Sequence, residues 1–111
     1  MTNALNILIL TPESQCLEQE AVSLVAPGWQ GSFGVWSGHA PMIVALAPGV
    51  VTVRDEQKEA LFVISGGVAE VTPERTTLLV DAVEPASDAL EAREKLERLK
   101  SSLPPLATLP A

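Results

Sequence analysis

Proton transfer and nucleophilic attack in this chain would depend on one histidine and a serine close to it. His39 is the single histidine of the 111 residues, and either Ser37 or Ser65 could serve as a nucleophile beside it. Ser65 lacks the glycine two residues earlier that a nucleophile elbow requires. No acidic residue stands at a spacing typical of a catalytic triad. The sequence therefore predicts a protein that is not an enzyme, and a hydrolase centred on His39 is the weaker alternative.

Metal and nucleotide chemistry have no recognisable site either. Cys16 is the only cysteine, so no internal disulfide can form, and no Cys/His cluster has the spacing of metal ligands. Glycines recur at positions 28, 31, 34 and 38, but no Gly-Lys-Ser or Gly-Lys-Thr follows them and no helix is predicted there. We expect no cofactor.

The charge distribution excludes two classes of partner. The net charge is −7, and it belongs to residues 1–87, where ten acidic side chains face three basic ones. Nucleic-acid binding and direct docking on anionic lipid both need clustered basic residues, and these are absent. The apolar run that ends at Leu10 is too short for a signal peptide or a membrane span, and the lone cysteine is typical of a cytosolic protein. An acidic surface suits a basic protein partner, although solubility explains it equally well.

The elements that would position these side chains are mainly short strands. Apolar and β-branched runs alternate with Gly and Pro turn signals every 8–12 residues, a pattern typical of a small sandwich or barrel. The predicted strands cover residues 5–10, 17–25, 42–46, 50–54, 60–65, 68–71 and 76–83. The stretch between the second and third strands, residues 28–42, is predicted to be a loop.

The pattern changes to helical after Pro85. Asp88 can cap a helix with Glu91 placed as in a capping box, and the apolar side chains then follow a 3-4-3-4 spacing. These apolar positions are Ala89, Ala92, Leu96, Leu99 and Leu103. Pro104 and Pro105 end the helix. We therefore predict a β domain over residues 1–86, a single helix over 87–103 and a Pro-rich tail over 104–111.

Three of the four aromatic residues, Trp29, Phe33 and Trp36, lie in the glycine-rich stretch. Phe33 is predicted to plug the end of the sandwich. For Trp29, burial and an exposed role as an anchor for a partner are both compatible with the sequence. A free-standing module that binds small ligands or carbohydrate on Trp29 and Trp36 is a further alternative, but the surrounding residues offer few hydrogen-bonding side chains.

Three sequence blocks resemble the epsilon subunit of bacterial F-type ATP synthases, the counterpart of mitochondrial delta. The first block is Gly-Val-Trp-Ser-Gly-His-Ala-Pro-Met at 34–42, the second is Pro-Gly-Val-Val at 48–51, and the third is Ser-Gly-Gly-Val-Ala-Glu-Val at 65–71. They occur in order and at the expected distances, and residues 82–92 resemble the join to the C-terminal helix.

The resemblance implies a fold, a role and partners. The fold would be a ten-stranded β-sandwich followed by a short C-terminal α-helix. The role would be that of a non-catalytic rotor subunit in the central stalk, which links the gamma subunit to the membrane c-ring and couples ion transport to ATP synthesis. The chain would be a peripheral component on the cytoplasmic face of the bacterial inner membrane. Residues expected toward gamma are His39, Val44, Ser65 and Glu70, and those expected toward the c-ring form the loop Gly31, Ser32, Phe33 and Gly34.

Two departures from the family pattern change these expectations. Many members carry Glu where this chain has Ser32, so a charged contact with the ring would be lost or moved. Members that bind ATP have Asp-x-x-Arg-Ala on the first C-terminal helix, whereas this chain has Glu91 at the arginine position. A carboxylate repels phosphate. With Pro104 and Pro105 in place of a second helix, we expect neither ATP binding nor inhibition through an extended helix.

Overall fold

The computed structural model describes residues 4–13 and 16–102. This part of the chain folds into ten strands and one helix, which confirms the expected ten-stranded β architecture with a C-terminal helix. The strands are β1 Leu5–Leu10, β2 Cys16–Ala21, β3 Ser23–Gly28, β4 Gly31–Trp36, β5 Met42–Leu46, β6 Gly49–Arg54, β7 Glu59–Ile64, β8 Gly67–Val71, β9 Arg75–Val80 and β10 Val83–Ala86, and the helix is α1 Ala89–Ser102. The predicted tail at 104–111 lies outside the described residues.

The strands form one sheet that curls into two facing halves. Their order is β10-β7-β6-β3-β5-β8-β9-β1-β2, with β4 paired to the other side of β3. Strand β3 lies at the bend, since its first half pairs with β6 while Gly28 at its end pairs with Leu46 of β5. All pairs are antiparallel except β1 with β9, which are parallel.

The core lies between the two halves and is built by period-two alternation. On β1, Leu5, Ile7 and Ile9 are buried while the residues between them are half-buried. Because successive side chains of a strand point to opposite faces, each strand contributes one apolar side to the core and leaves the other side outward. The other fully buried large side chains are Leu24, Val35, Leu46, Val51, Val53, Val63, Ile64, Val71 and Leu78.

Strand β4 was not predicted, and the loop expected at this place is wrong. Phe33 packs against the core and Val35 is fully buried, so the stretch does alternate. One of its outward positions is Gly34, so the alternation is hard to recognise in the sequence. The glycine is required there by packing. A Cβ at Gly34 would lie 2.9 Å from Cη2 of Trp36, whose ring covers that position. The segment Gly31–Gly34 therefore belongs to β4, which forms a β-hairpin with β3, and is not a loop.

Two predicted strands are each divided in the structure. Residues 17–25 belong to β2 and β3, which separate at Val22, and residues 76–83 belong to β9 and β10, which separate at a turn that includes Ala82. In both places the chain passes from one half of the sheet to the other. The Val22 N–H donates to the Arg54 carbonyl at 2.8 Å, so the backbone groups at the crossing stay paired.

Helix α1 begins directly after the predicted cap Asp88, two residues later than the predicted boundary at 87, and packs on the outward side of β6, β7 and β10. The Asp88 carboxylate accepts a hydrogen bond from the Glu91 N–H at 2.8 Å, and the Glu91 carboxylate accepts one from the Ser87 N–H at 2.8 Å. Both are N-terminal capping interactions. Ala92 is fully buried, and the ammonium of Lys95 donates to the Pro85 carbonyl at 2.6 Å. The helix is thus held on the sandwich.

Candidate interaction surface

The residues considered for catalysis are not brought together. The Gly38 N–H donates to the Pro73 carbonyl at 2.7 Å, which puts the His39 turn beside the turn that follows β8. Ser65 precedes β8 and therefore lies at the other end of that strand. Its Oγ accepts a hydrogen bond from the Ala82 N–H at 2.9 Å. The His39 Nδ1 lies 2.7 Å from the carbonyl oxygen of its neighbour Ala40. In the described residues no hydrogen bond joins His39 to Ser37 or Ser65.

The outward sides of β5, β8 and β9 instead carry an apolar surface. Ile43 is 75% exposed, Leu79 is 51% exposed and Val68 is 40% exposed. The strand register places Val68 between Ala45 and Leu79 in one row and Ile43 opposite Glu70 in the next. We call these five residues the β5–β8–β9 face. Contiguous exposed apolar patches on soluble domains commonly mark sites of interaction with another protein.

Three acidic side chains lie on the outward side of this half-sheet. Glu70 is the acidic member of the face, beside Ile43 at one edge of it, and Glu18 and Glu20 point outward from β2 at the far edge of the half-sheet. Arg75 lines the same surface depression as Glu70, yet in the described part of the chain Glu70 takes part in no ion pair. An apolar centre with an acidic, exposed margin has the layout of a protein interface for a partner with basic groups.

A cleft adjoins the face at the tip of the β3–β4 hairpin. Trp29 and Gln30 form the two-residue tip, and Gly31 adopts a φ of +125°, which favours glycine. The cleft has a volume of about 430 Å³ and lies between this tip and β5, with Ile43 and Phe33 among its lining residues. Trp29 is 61% exposed, so of the two sequence-based interpretations the structure supports the exposed one. We call this feature the Trp29 cleft.

The two tryptophans lie on different sides of the molecule. Trp36 is the last residue of β4, and its ring is exposed. It pairs with Ser23 of β3, and Ser23 in turn pairs with Arg54 of β6. This is the outer side of the half-sheet that carries α1, whereas Trp29 borders β5. The alternative in which both rings form one stacking platform for a ligand is therefore not supported by their arrangement.

The residues expected toward gamma occupy four different settings. Glu70 is exposed on the β5–β8–β9 face, and His39 is half-buried in its turn. Val44 packs against the hydrophobic core, and Ser65 is only 8% exposed. Their assignment to the gamma interface stays a prediction. Sequence reasoning did not single out Ile43, Val68 and Leu79. Alternation sets each of them opposite its neighbours on the strand but does not say which set faces outward.

Two carboxylates have perturbed acidity, and both serve local structure. The Ser87 N–H lowers the pKa of Glu91 below its ordinary value, with a further contribution from Lys95 at 3.5 Å. The N–H groups of Gln57 and Lys58 lower the pKa of Asp55, whose carboxylate closes the β6–β7 turn. Glu91 therefore caps the helix. This is the position at which the sequence resemblance implies an arginine in members that bind ATP.

The described ranges, 4–13 and 16–102, offer neither a metal site nor a membrane-spanning helix. No group of three or more His, Cys, Asp and Glu side chains there is arranged to hold a metal ion. Helix α1 does not combine the length and the apolar character that crossing a bilayer demands, and it is the only helix described.

Comparison with known proteins identifies the family. The model of the ATP synthase delta/epsilon chain β-sandwich domain matches residues 4–86, most of the chain and all ten strands described here. The chain belongs to the ATP synthase delta/epsilon family.

Similarity to delta/epsilon relatives extends beyond the sandwich domain. The ATP synthase epsilon chain of Moorella thermoacetica is 42% identical over 108 residues, which cover 92% of this chain and 81% of the relative. The epsilon chain of Desulfosudis oleivorans is 38% identical over 104 residues, covering 88% and 78%. Among solved structures, a chain of the Euglena gracilis mitochondrial ATP synthase assembly of OSCP, F1 and c-ring superposes with a TM-score of 0.69 at 25% identity, over 96% of this chain and 71% of that one.

Proposed function

We propose that this chain is the non-catalytic central-stalk subunit of a bacterial F-type ATP synthase, where it joins the gamma subunit to the c-ring and turns with them as part of the rotor. Membership of the delta/epsilon family supports the assignment to the stalk. The observation that carries the role of a coupling element is the β5–β8–β9 face, because a rotor part needs a stiff body with apolar surface to bury against its neighbours. In this setting the chain lies at the cytoplasmic face of the inner membrane and reaches the membrane through protein partners.

The β5–β8–β9 face is the surface that we assign to gamma. Ile43, Val68 and Leu79 would supply the apolar centre of the contact, and Glu70 a charged group at its margin. Val44 and Ser65 would support this surface from inside, since one packs against the core and the other is buried. His39 would contribute from the turn beside β8.

The start of β4, Gly31–Gly34, is the segment that we assign to the c-ring. Gly31 and Ser32 are exposed at the start of β4, whereas Phe33 and Gly34 are partly covered. Ser32 can offer a neutral hydrogen bond to the ring where relatives with glutamate offer a charge.

A binding titration with the matching gamma subunit tests the assignment. A Leu79→Asp substitution adds a charge to the centre of the face, so we expect it to weaken binding at least tenfold. Leu90 provides the matched control, because it is 67% exposed on α1, away from the face. Leu90→Asp should bind gamma as the unchanged chain does. The proposal fails if the unchanged chain does not bind gamma, or if both variants bind equally well.

Attachment to the ring is tested with the complex. Ser32→Cys, in a Cys16→Ser background and labelled on its thiol with a maleimide that carries a benzophenone, should cross-link to the c-ring when the assembled enzyme is irradiated. A cysteine at Gln57 in the β6–β7 turn should not. Cross-linking from position 57 alone would place the wrong end of the sandwich against the membrane sector.

A further inference from the structure

The Trp29 cleft exists because the sheet opens beside β5. On one side β5 pairs with β8 along its full length, but on the other it makes a single bridge, Gly28 with Leu46, to β3. Beyond that bridge the β3–β4 hairpin diverges, and the Trp29 N–H at its tip donates a hydrogen bond to the Ala45 carbonyl at 3.2 Å. The result is a gap of about 430 Å³ between the tip and the open edge of β5.

The lining of the cleft is suited to an apolar group. Trp29, Phe33 and Met42 contribute large apolar side chains and Gln30 contributes an amide, and none of the described residues that line the cleft is charged. Volumes of several hundred Å³ with mostly apolar walls are typical of pockets that enclose a substantial part of a bound group. At protein interfaces, bulky side chains seated in such pockets carry a large share of the binding energy, and tryptophan is enriched among them.

The cleft is continuous with the β5–β8–β9 face. Ile43 and Ala45 belong to both, so a partner seated on the face also covers the mouth of the cleft. Glu70, which pairs with Ile43 in the register, lies beside that mouth without an ion pair in the described part of the chain. The groups of the partner nearest the cleft should therefore be basic.

We propose that the gamma subunit inserts one bulky apolar side chain, carried on a basic surface, into the Trp29 cleft, and that Trp29 is a principal anchor of this contact. The inference rests on the proposed function and adds to it the chemistry of the gamma residue and the location of its pocket.

The two tryptophans make the test selective, since they lie on different sides of the molecule. In a Trp36→Phe variant the emission reports Trp29 alone, and in a Trp29→Phe variant it reports Trp36 alone. Adding purified gamma should shift Trp29 emission to shorter wavelength and protect it from acrylamide quenching. Trp36 emission should not change. Trp29→Ala should weaken gamma binding at least tenfold, whereas Trp36→Ala, a similarly exposed ring at 57%, should stay within twofold. Added salt should slow association with gamma.

The outcomes separate this inference from the proposed function. If Trp29→Ala binds gamma like the unchanged chain while Leu79→Asp does not, the cleft proposal is wrong and the proposed function stands. A shift of Trp29 emission with the c-ring but not with gamma would overturn the assignment of the occupant. An association rate that is independent of salt would overturn the basic character of the partner. Thermal melts of both alanine variants should match that of the unchanged chain, because both rings are more than half exposed.

Discussion

Ser65→Ala should lower the stability of the sandwich and leave the affinity for gamma unchanged. Ser65 directly follows β7, and its hydroxyl oxygen accepts a hydrogen bond from the Ala82 N–H at 2.9 Å. Its own N–H donates to the Ala82 carbonyl at 3.2 Å. These two bonds fasten the end of β7 to the turn between β9 and β10, where the chain passes between the halves of the sheet.

The substitution removes the first bond and keeps the second. The lost acceptor leaves the Ala82 N–H without its partner, and orphaning a buried donor costs about 1–3 kcal/mol. Ala82 is half-buried, so water can reach its N–H in part and the cost falls toward the lower end of that range. We expect a loss of about 1–2 kcal/mol in the free energy of unfolding. For a domain of this size each kcal/mol corresponds to a fall in Tm of about 4–8 °C.

Thermal and urea melts followed by circular dichroism measure this loss, and Ser37→Ala is the control. Ser37 is exposed, so its removal should change the free energy of unfolding by less than about 0.5 kcal/mol. Gamma titrations are then made at a temperature where both variants are folded. If Ser65→Ala melts like the unchanged chain but loses affinity for gamma, the residue is an interface contact and our reasoning from its burial is refuted.

Three further substitutions follow from local geometry. The Thr76 hydroxyl is fully buried and lacks a hydrogen-bond partner among the described groups, so Thr76→Val should raise the free energy of unfolding by about 1 kcal/mol; an unchanged or lower Tm would mean that the hydroxyl is satisfied. Gly38 has a φ of +85° with open space around it, so Gly38→Val should cost about 1–3 kcal/mol through backbone strain, against almost nothing for Ser37→Ala in the same melts. Glu91, whose carboxylate caps the start of α1, has a lowered pKa. Its contribution to the stability of that helix end is therefore present at neutral pH and is lost as the pH falls below the usual glutamate value of about 4.3. Amide exchange at Ser87 should accelerate there, and Glu91→Gln should remove that acid dependence; an identical acid profile in the variant would contradict the capping role.

Much of the fold was predictable because its signals are local. Alternation identified β1, an unbroken apolar run identified β5, Gly and Pro marked the turns, and the Asp88 cap located the start of α1 to within a residue. Strand β4 was missed because glycine has a low strand propensity. Gly34 is accommodated in the strand by the Trp36 ring, which covers it, and local propensity does not include such a contact. The divided strands were missed for a similar reason, since a stretch with strand-like composition does not reveal that its two halves pair with different neighbours.

The candidate site was less predictable than the fold. Val44 and Ile43 are adjacent apolar residues on one strand, and by sequence alone either could face a partner. Alternation states only that they face opposite ways. The curl of the sheet, which turns Val44 to the core and leaves Ile43 three-quarters exposed, decides between them.

The sequence by itself determined the architecture, the position of the helix and the family, because strand period, turn chemistry, capping and short sequence blocks are all properties of neighbouring residues. Only the tertiary structure decided that Ile43, Val68 and Leu79 form one surface, that a cleft opens beside it, and that Trp36 lies elsewhere. These features depend on register between strands distant in sequence and on the single Gly28–Leu46 bridge at the bend. Such pairings are selected by the packing of the whole core, so no window of consecutive residues contains them.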